Sequence, residues 1–169
     1  MSNALLVLGG ARSGKSRYAQ SRAEALDGEL VFVATAQALD DEMAERIARH
    51  RDDRGSRWST LEAPVELAAA IRDEARPGQV LLIDCLTLWT SNLLLADRDI
   101  AAATGELVDA IGQARGTLIF VANEVGLGIV PDNALARRFR DEAGRVNQQL
   151  AATVDEVMFV AAGLPLRLK

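Results

Sequence analysis

The residues whose types and spacing point most directly to chemistry are Gly9-Gly10-Ala11-Arg12-Ser13-Gly14-Lys15-Ser16. A glycine, four residues, then Gly-Lys-Ser is the phosphate-loop pattern: backbone N–H groups wrap phosphates, the lysine reaches their outer oxygens, and the serine hydroxyl ligates Mg²⁺. With glycine at roughly 7% of residues, this spacing arises by accident in fewer than about one chain of this length in a hundred. The apolar run Ala4-Leu5-Leu6-Val7-Leu8 before it and the helical segment after it are the strand and helix that such a loop requires. An ordinary glycine turn is the competing reading.

Other candidates follow at strand ends. Val80-Leu81-Leu82-Ile83-Asp84 is an aliphatic strand closed by a carboxylate, the usual second element beside a phosphate loop. Asp84 would support Mg²⁺, directly or through water, opposite Ser16. Thr35 closes Leu30-Val31-Phe32-Val33-Ala34, and its hydroxyl either touches nucleotide or is that of a plain turn residue. Glu62 meets a base or ribose, or is merely surface. Glu124 follows the run Thr117 to Ala122, where an acid serves chemistry, substrate binding, helix capping or a salt bridge.

His50 is the one histidine in the chain. Leu39, Met43, Ile47 and His50 are spaced as one helix face, which puts His50 at or beside an apolar stripe. Arg46, Arg49, Arg51, Arg54 and Arg57 surround it. Positive neighbours favour neutral imidazole and attract phosphates. A histidine packed at the core edge, amid a solvated run of charge, is the alternative.

Strands must position these groups. The periodicity predicts alternating elements: strands at 4–8, 30–34, 80–84, 117–122 and 157–161, and helices at 15–26, 39–53, 65–75, 86–95, 105–115 and 133–154. Residues 59–63 read as short and extended, and Leu164-Pro165-Leu166-Arg167-Leu168 as an edge strand that tolerates its proline. Continuous apolar runs indicate strands buried on both faces of a parallel sheet. The fold class expected is α/β, of the P-loop, RecA-like kind: a mostly parallel sheet flanked by helices, in a single domain over residues 1–169.

Composition bounds the function. The 169 residues are 49% hydrophobic, 25% charged and only 4% aromatic, so the core is aliphatic. The net charge of −5 argues against a nucleic-acid partner. No apolar run approaches the roughly 20 residues of a membrane span. The lone Cys85 excludes an intrachain disulfide, and no leader precedes the first strand, so a cytoplasmic protein is expected.

Several motifs taken together resemble one family. They are GGARSGKS at Gly9 to Ser16; Ala34-Thr35; Leu39-Asp40-Asp41-Glu42-Met43 leading to Arg46-Ile47 and His50; Asn123-Glu124-Val125-Gly126 with Gly128-Ile129-Val130-Pro131; and Gly144-Arg145-Val146-Asn147-Gln148. The chain resembles, nearly end to end, the bifunctional adenosylcobinamide kinase / adenosylcobinamide-phosphate guanylyltransferase family of cobalamin biosynthesis. The resemblance implies two reactions. ATP or GTP phosphorylates the aminopropanol hydroxyl of adenosylcobinamide; GTP then donates GMP to that phosphate through a guanylylated histidine, at the position of His50. Adenosylcobinamide-GDP and pyrophosphate are the products.

The resemblance also implies that Gly9, Gly10, Ala11, Arg12, Ser13, Gly14, Lys15 and Ser16 hold phosphates, with Lys15 acting in catalysis. It implies that Ala34, Thr35 and Ala36, and Arg51, Asp52, Asp53 and Arg54, contact the guanine nucleotide. Glu62 and Asp84 become further nucleotide or metal contacts, with Mg²⁺ on Ser16 and Asp84. Ala36, Asp53 and Asp84 stand where relatives often carry serine, glycine and glutamate. Members form homo-oligomers, commonly trimers. The competing readings are another small-molecule kinase on this fold, with His50 structural, and a nucleotide switch. The switch lacks an Asn-Lys-x-Asp motif, because Asn123 is followed by Glu124.

Overall fold

A computed structural model describes residues 3–37 and 55–169. The helix predicted at 39–53, with His50, and the Arg51 to Arg54 segment lie outside the described residues.

The strands are β1 (Ala4–Gly9), β2 (Glu29–Ala34), β3 (Trp58–Glu62), β4 (Gln79–Asp84), β5 (Thr117–Asn123), β6 (Glu156–Ala161) and β7 (Leu164–Arg167). They form one sheet in the order β3-β2-β4-β5-β1-β6-β7. The first six are parallel to their neighbours; β7 runs antiparallel to β6 at the exposed edge, where Pro165 is tolerated. The helices are α1 (Lys15–Glu24), α2 (Leu67–Glu74), α3 (Leu86–Leu95), α4 (Ile100–Gln113) and α5 (Ala134–Thr153). Among the described residues, no helix is long and apolar enough to cross a membrane.

Period-two alternation divides the strand side chains between two cores. Leu6, Leu8, Val31, Val33, Leu81, Ile83, Leu118 and Phe120 pack with residues of α2 to α5. Leu5, Val7, Leu30, Val80, Leu82, Ile119 and Val121 face the other way, onto Ala19 and Ala23 of α1. Two alanines let α1 lie close to the sheet, directly behind the loop it follows.

One expectation needs correction. The helix expected to open at Gly105 begins at Ile100, because Asp99 Oδ1 accepts the Ala102 N–H at 2.9 Å and caps it. Gly105 is interior to this helix rather than its boundary. On α5, Val146 and Leu150 are buried and Phe139 packs partly against the core, but Leu135 is exposed. The apolar stripe thus runs past the edge of the core.

Arg22, in the last turn of α1, forks onto Glu156 of β6, with Nη1 to Oε1 at 3.1 Å and Nη2 to Oε2 at 2.6 Å. The guanidinium holds the Glu156 carboxyl below its ordinary value. A lowered native value contributes stability above the unfolded value, and that contribution is lost as pH falls through the native one. Glu156→Gln is expected to cost about 1 kcal/mol at most at pH 7, since Arg22 keeps 37% of its side chain exposed and solvent screens the pair. The difference from wild type should close as pH drops below about 4.3. Denaturant melts of both proteins across that range check it; a gap that widens toward acid contradicts the assignment.

Candidate functional site

The phosphate loop turns sharply as it leaves β1. The Ser13 N–H donates to Gly10 O at 3.3 Å, and Gly14 adopts φ +93°, a left-handed conformation that glycine accepts without strain. A Cβ on Gly9 would lie 2.6 Å from Val160 O and 2.5 Å from Ser13 Oγ, so only glycine fits where the loop presses on β6. The β6–β7 turn braces the loop from below: the Gly163 N–H donates to Ser13 O at 2.7 Å. Ser13 Oγ is buried there without a hydrogen-bond partner.

Helix α1 opens on Gly14 with no capping side chain and no acid in its first turn. By contrast, Cys85, Asp99 and Asn133 cap α3, α4 and α5. The first-turn N–H groups of α1 and its positive dipole end are thereby available to an anion. Lys15 Nζ donates to Gly10 O at 3.0 Å, which holds the ammonium over the loop mouth.

The other candidates stand along the same carboxyl edge of the sheet. Register places Ala34 between Glu62 of β3 and Asp84 of β4, so these three form one row. Gly9 lies opposite Asn123 on β5, and Asp84 opposite Val121 on the other side of β5. The loop strand and the Asp84 strand are thus two ladder spacings apart, roughly 10 Å, and β2 is one further, roughly 14 Å. The candidate residues make two groups: a phosphate grip over β1, and the Glu62, Ala34, Asp84 row. A nucleotide would lie across the strand ends between them.

Thr35 matches only one of its two readings. It is 0% exposed; its hydroxyl donates to Cys85 O at 2.7 Å and accepts the Cys85 N–H at 2.8 Å. Its own N–H donates to Asp84 O and its carbonyl accepts from Asn92 Nδ2. With every polar group engaged, Thr35 fastens β2 to the end of β4 and presents no hydroxyl to a ligand. Ala36 follows, half-buried. Asn92 Nδ2 also donates to Pro64 O at 2.9 Å, so one α3 amide ties together the chain leaving β2 and that leaving β3. Burial, and then the charge of Asp84, push the Cys85 thiol up, which keeps it protonated and unreactive beside the site.

Ser16 is exposed in the first turn of α1, and Asp84 is half-buried at the tip of β4. Both supply hard oxygen on one edge, a donor set that suits Mg²⁺ bound by one or two protein oxygens and completed by phosphates and water.

No local sequence pattern marks the polar braces. Thr87 Oγ1 accepts the Asn123 N–H at 2.7 Å, and Asn147 Nδ2 donates to Asn123 O at 3.2 Å. Gly163, after the last strong strand, was the one visible signal of the turn beneath the loop.

Solved structures with this architecture include an ATPase from the type III secretion system of pathogenic bacteria, with TM-score 0.59, 13% identity, and coverage of 99% of this chain and 58% of that one. A Pyrococcus horikoshii OT3 protein gives TM-score 0.56 at 10% identity, covering 99% and 86%. At such identities the likeness is one of fold. Sequence relatives are much nearer. The bifunctional adenosylcobalamin biosynthesis protein CobP of Pseudomonas aeruginosa is 50% identical, over 97% of this chain and 96% of its own length. Its counterpart CobU of Escherichia coli is 43% identical, over 98% and 99%. A family model described as cobinamide kinase / cobinamide phosphate guanyltransferase matches residues 5–168. Carrying the phosphate loop and strand-edge carboxylates in place along nearly its whole length, the chain belongs to the cobinamide kinase / cobinamide phosphate guanyltransferase family.

Proposed function

We propose that this chain phosphorylates adenosylcobinamide with ATP or GTP, then transfers GMP from GTP to the resulting phosphate through a guanylylated His50. The observation that carries the reading is full-length membership of a bifunctional family, together with an uncapped α1 behind an intact phosphate loop.

In the first reaction the loop N–H groups and Lys15 hold the triphosphate while the aminopropanol hydroxyl attacks the γ-phosphorus. In the second, neutral His50 attacks the α-phosphorus of GTP and pyrophosphate leaves. The phosphate of adenosylcobinamide phosphate then displaces the histidine and forms adenosylcobinamide-GDP. Splitting the transfer in two replaces one difficult displacement by two easier ones. Ser16 and Asp84 would hold Mg²⁺, which neutralises charge developing on the phosphates. Lys15 serves both steps because a nucleoside triphosphate occupies the loop each time. Glu62, Ala34 and Ala36, with Arg51, Asp52, Asp53 and Arg54, belong to the guanine nucleotide's far end, with Thr35 bracing the strand end behind them. The working unit is a single domain over residues 1–169, assembled as a homo-oligomer in the cytoplasm.

Incubation with GTP radiolabelled at the α-phosphate tests the reading. Acid-labile, base-stable label on the protein, chased into adenosylcobinamide-GDP when adenosylcobinamide phosphate is added, is the expected result. Product formed with no protein-bound label rules out the covalent route.

A further inference from the structure

Between the phosphate loop and Asp84 runs β5, and the chain at its tip carries Asn123 and Glu124, which the nucleotide contacts above leave unused. The tip is held from two helices: Thr87 of α3 and Asn147 of α5 bond the backbone of Asn123 on either side of its Cα. Asn123 Oδ1 is buried beside the loop strand and makes no hydrogen bond. The Glu124 N–H donates to Gly9 O at 3.0 Å, while Lys15 Nζ donates to Gly10 O at 3.0 Å. Glu124 and the phosphate-seeking ammonium therefore hang on consecutive carbonyls of the loop.

The Glu124 carboxylate is itself restrained. Its Oε1 accepts the Gly126 N–H at 2.7 Å, which fixes the half-buried side chain against the chain that follows. That chain then presents Leu127, Ile129 and Val130, which are 81%, 97% and 64% exposed. Its far end is clamped by Arg137 Nη1, which donates to Pro131 O at 2.9 Å and Asp132 O at 2.8 Å. A braced run of bare aliphatic side chains beside a phosphate grip marks the side from which a large, apolar-faced acceptor approaches.

The geometry points to Glu124 as the base of the phosphoryl-transfer step. The inference rests on the kinase reading above. In this step the Glu124 carboxylate takes the proton of the acceptor hydroxyl, and the hydroxyl oxygen forms its bond to the γ-phosphorus. The bond from the γ-phosphorus to the β–γ bridging oxygen breaks, and its electron pair leaves with the nucleoside diphosphate. No further reactant is consumed. Three features favour Glu124 over Asp84 for this task. It lies one strand from Gly9 rather than two; it is tethered to the loop itself; and it opens the apolar segment, whereas Asp84 lies in the row with Ala34 and Glu62. Guanylyl transfer makes no such demand, because its attacking phosphate is already largely ionised at neutral pH.

The two reactions should therefore separate. Glu124→Gln is expected to lower kcat for phosphorylation of adenosylcobinamide by about a hundredfold or more, with KM for adenosylcobinamide changed less than about threefold. The acid limb of its kcat–pH profile should flatten, and Glu124→Asp should recover part of the rate. The ratio of phosphorylation to guanylyl transfer, the latter assayed on adenosylcobinamide phosphate made separately, should fall by at least about thirtyfold. A kinase kcat within about threefold of wild type overturns the inference. So does a parallel fall of both activities with the affinity for a fluorescent GTP analogue, which makes Glu124 a brace for the loop. Failure of the wild-type enzyme to phosphorylate adenosylcobinamide at all overturns the kinase reading itself, and the inference with it.

Discussion

Replacing Lys15 by alanine is expected to lower both phosphoryl and guanylyl transfer by about a hundred- to a thousandfold while leaving the fold intact. The asymmetry follows from what the ammonium touches. Its hydrogen bond is to Gly10 O, a carbonyl at the open mouth of the loop, and no carboxylate is bridged by it among the described ion pairs. Losing that contact costs the native state little. In the transition state of either reaction the same ammonium would face charge on transferring or leaving phosphate oxygens, where a fixed cation is worth several times more than in water. Lys15→Arg should not rescue, because a planar fork cannot replace a compact ammonium inside so tight a turn. Steady-state rates of both reactions, with circular dichroism of each variant, check this. A Lys15→Ala enzyme that loses one activity and retains the other would refute a shared phosphate grip.

His50→Ala, unlike Lys15→Ala, should separate the two reactions. Guanylyl transfer is expected to fall by at least about 10⁴-fold, the order lost when a covalent nucleophile is deleted, and protein labelling from α-labelled GTP should vanish. Phosphorylation of adenosylcobinamide should stay within a few-fold, because attack at the γ-phosphorus is served by the loop and Lys15 and needs no imidazole. Together the Lys15 and His50 variants distinguish a common binding site from two separate chemistries. Assaying both variants for both reactions is the decisive measurement. Undiminished GMP transfer by His50→Ala would mean that the substrate phosphate attacks GTP directly, in one displacement.

The elements were legible wherever local pattern and burial coincide. Val80 to Ile83 and Leu118 to Ala122 are continuous apolar runs, and each lies in a central parallel strand in the structure. Local pattern failed where one residue carries two meanings. Gly105 reads as a boundary because glycine disfavours helix interiors, yet a capping carboxylate at Asp99 starts the helix earlier and the packing of Ile100 and Leu107 carries it through. Thr35 was ambiguous for a similar reason. A hydroxyl at a strand end serves a ligand or a neighbouring backbone equally well until the neighbour is known, and here it is Cys85, fifty residues away.

The candidate site divides along the same line. Gly9 to Ser16 could be read directly, because a phosphate loop is made of contiguous residues whose chemistry depends on their spacing along the chain. By itself the sequence determined the loop, the aliphatic α/β alternation, and the carboxylates closing their strands. Only the tertiary structure decided the strand order. That order puts β5 between the loop and Asp84, sets Glu62, Ala34 and Asp84 in one row, and hangs Glu124 on the loop through Gly9 O. The reason is physical: parallel neighbours are joined by long crossovers, so which strands touch is settled by how helices and sheet bury their apolar faces together, and no local spacing records it.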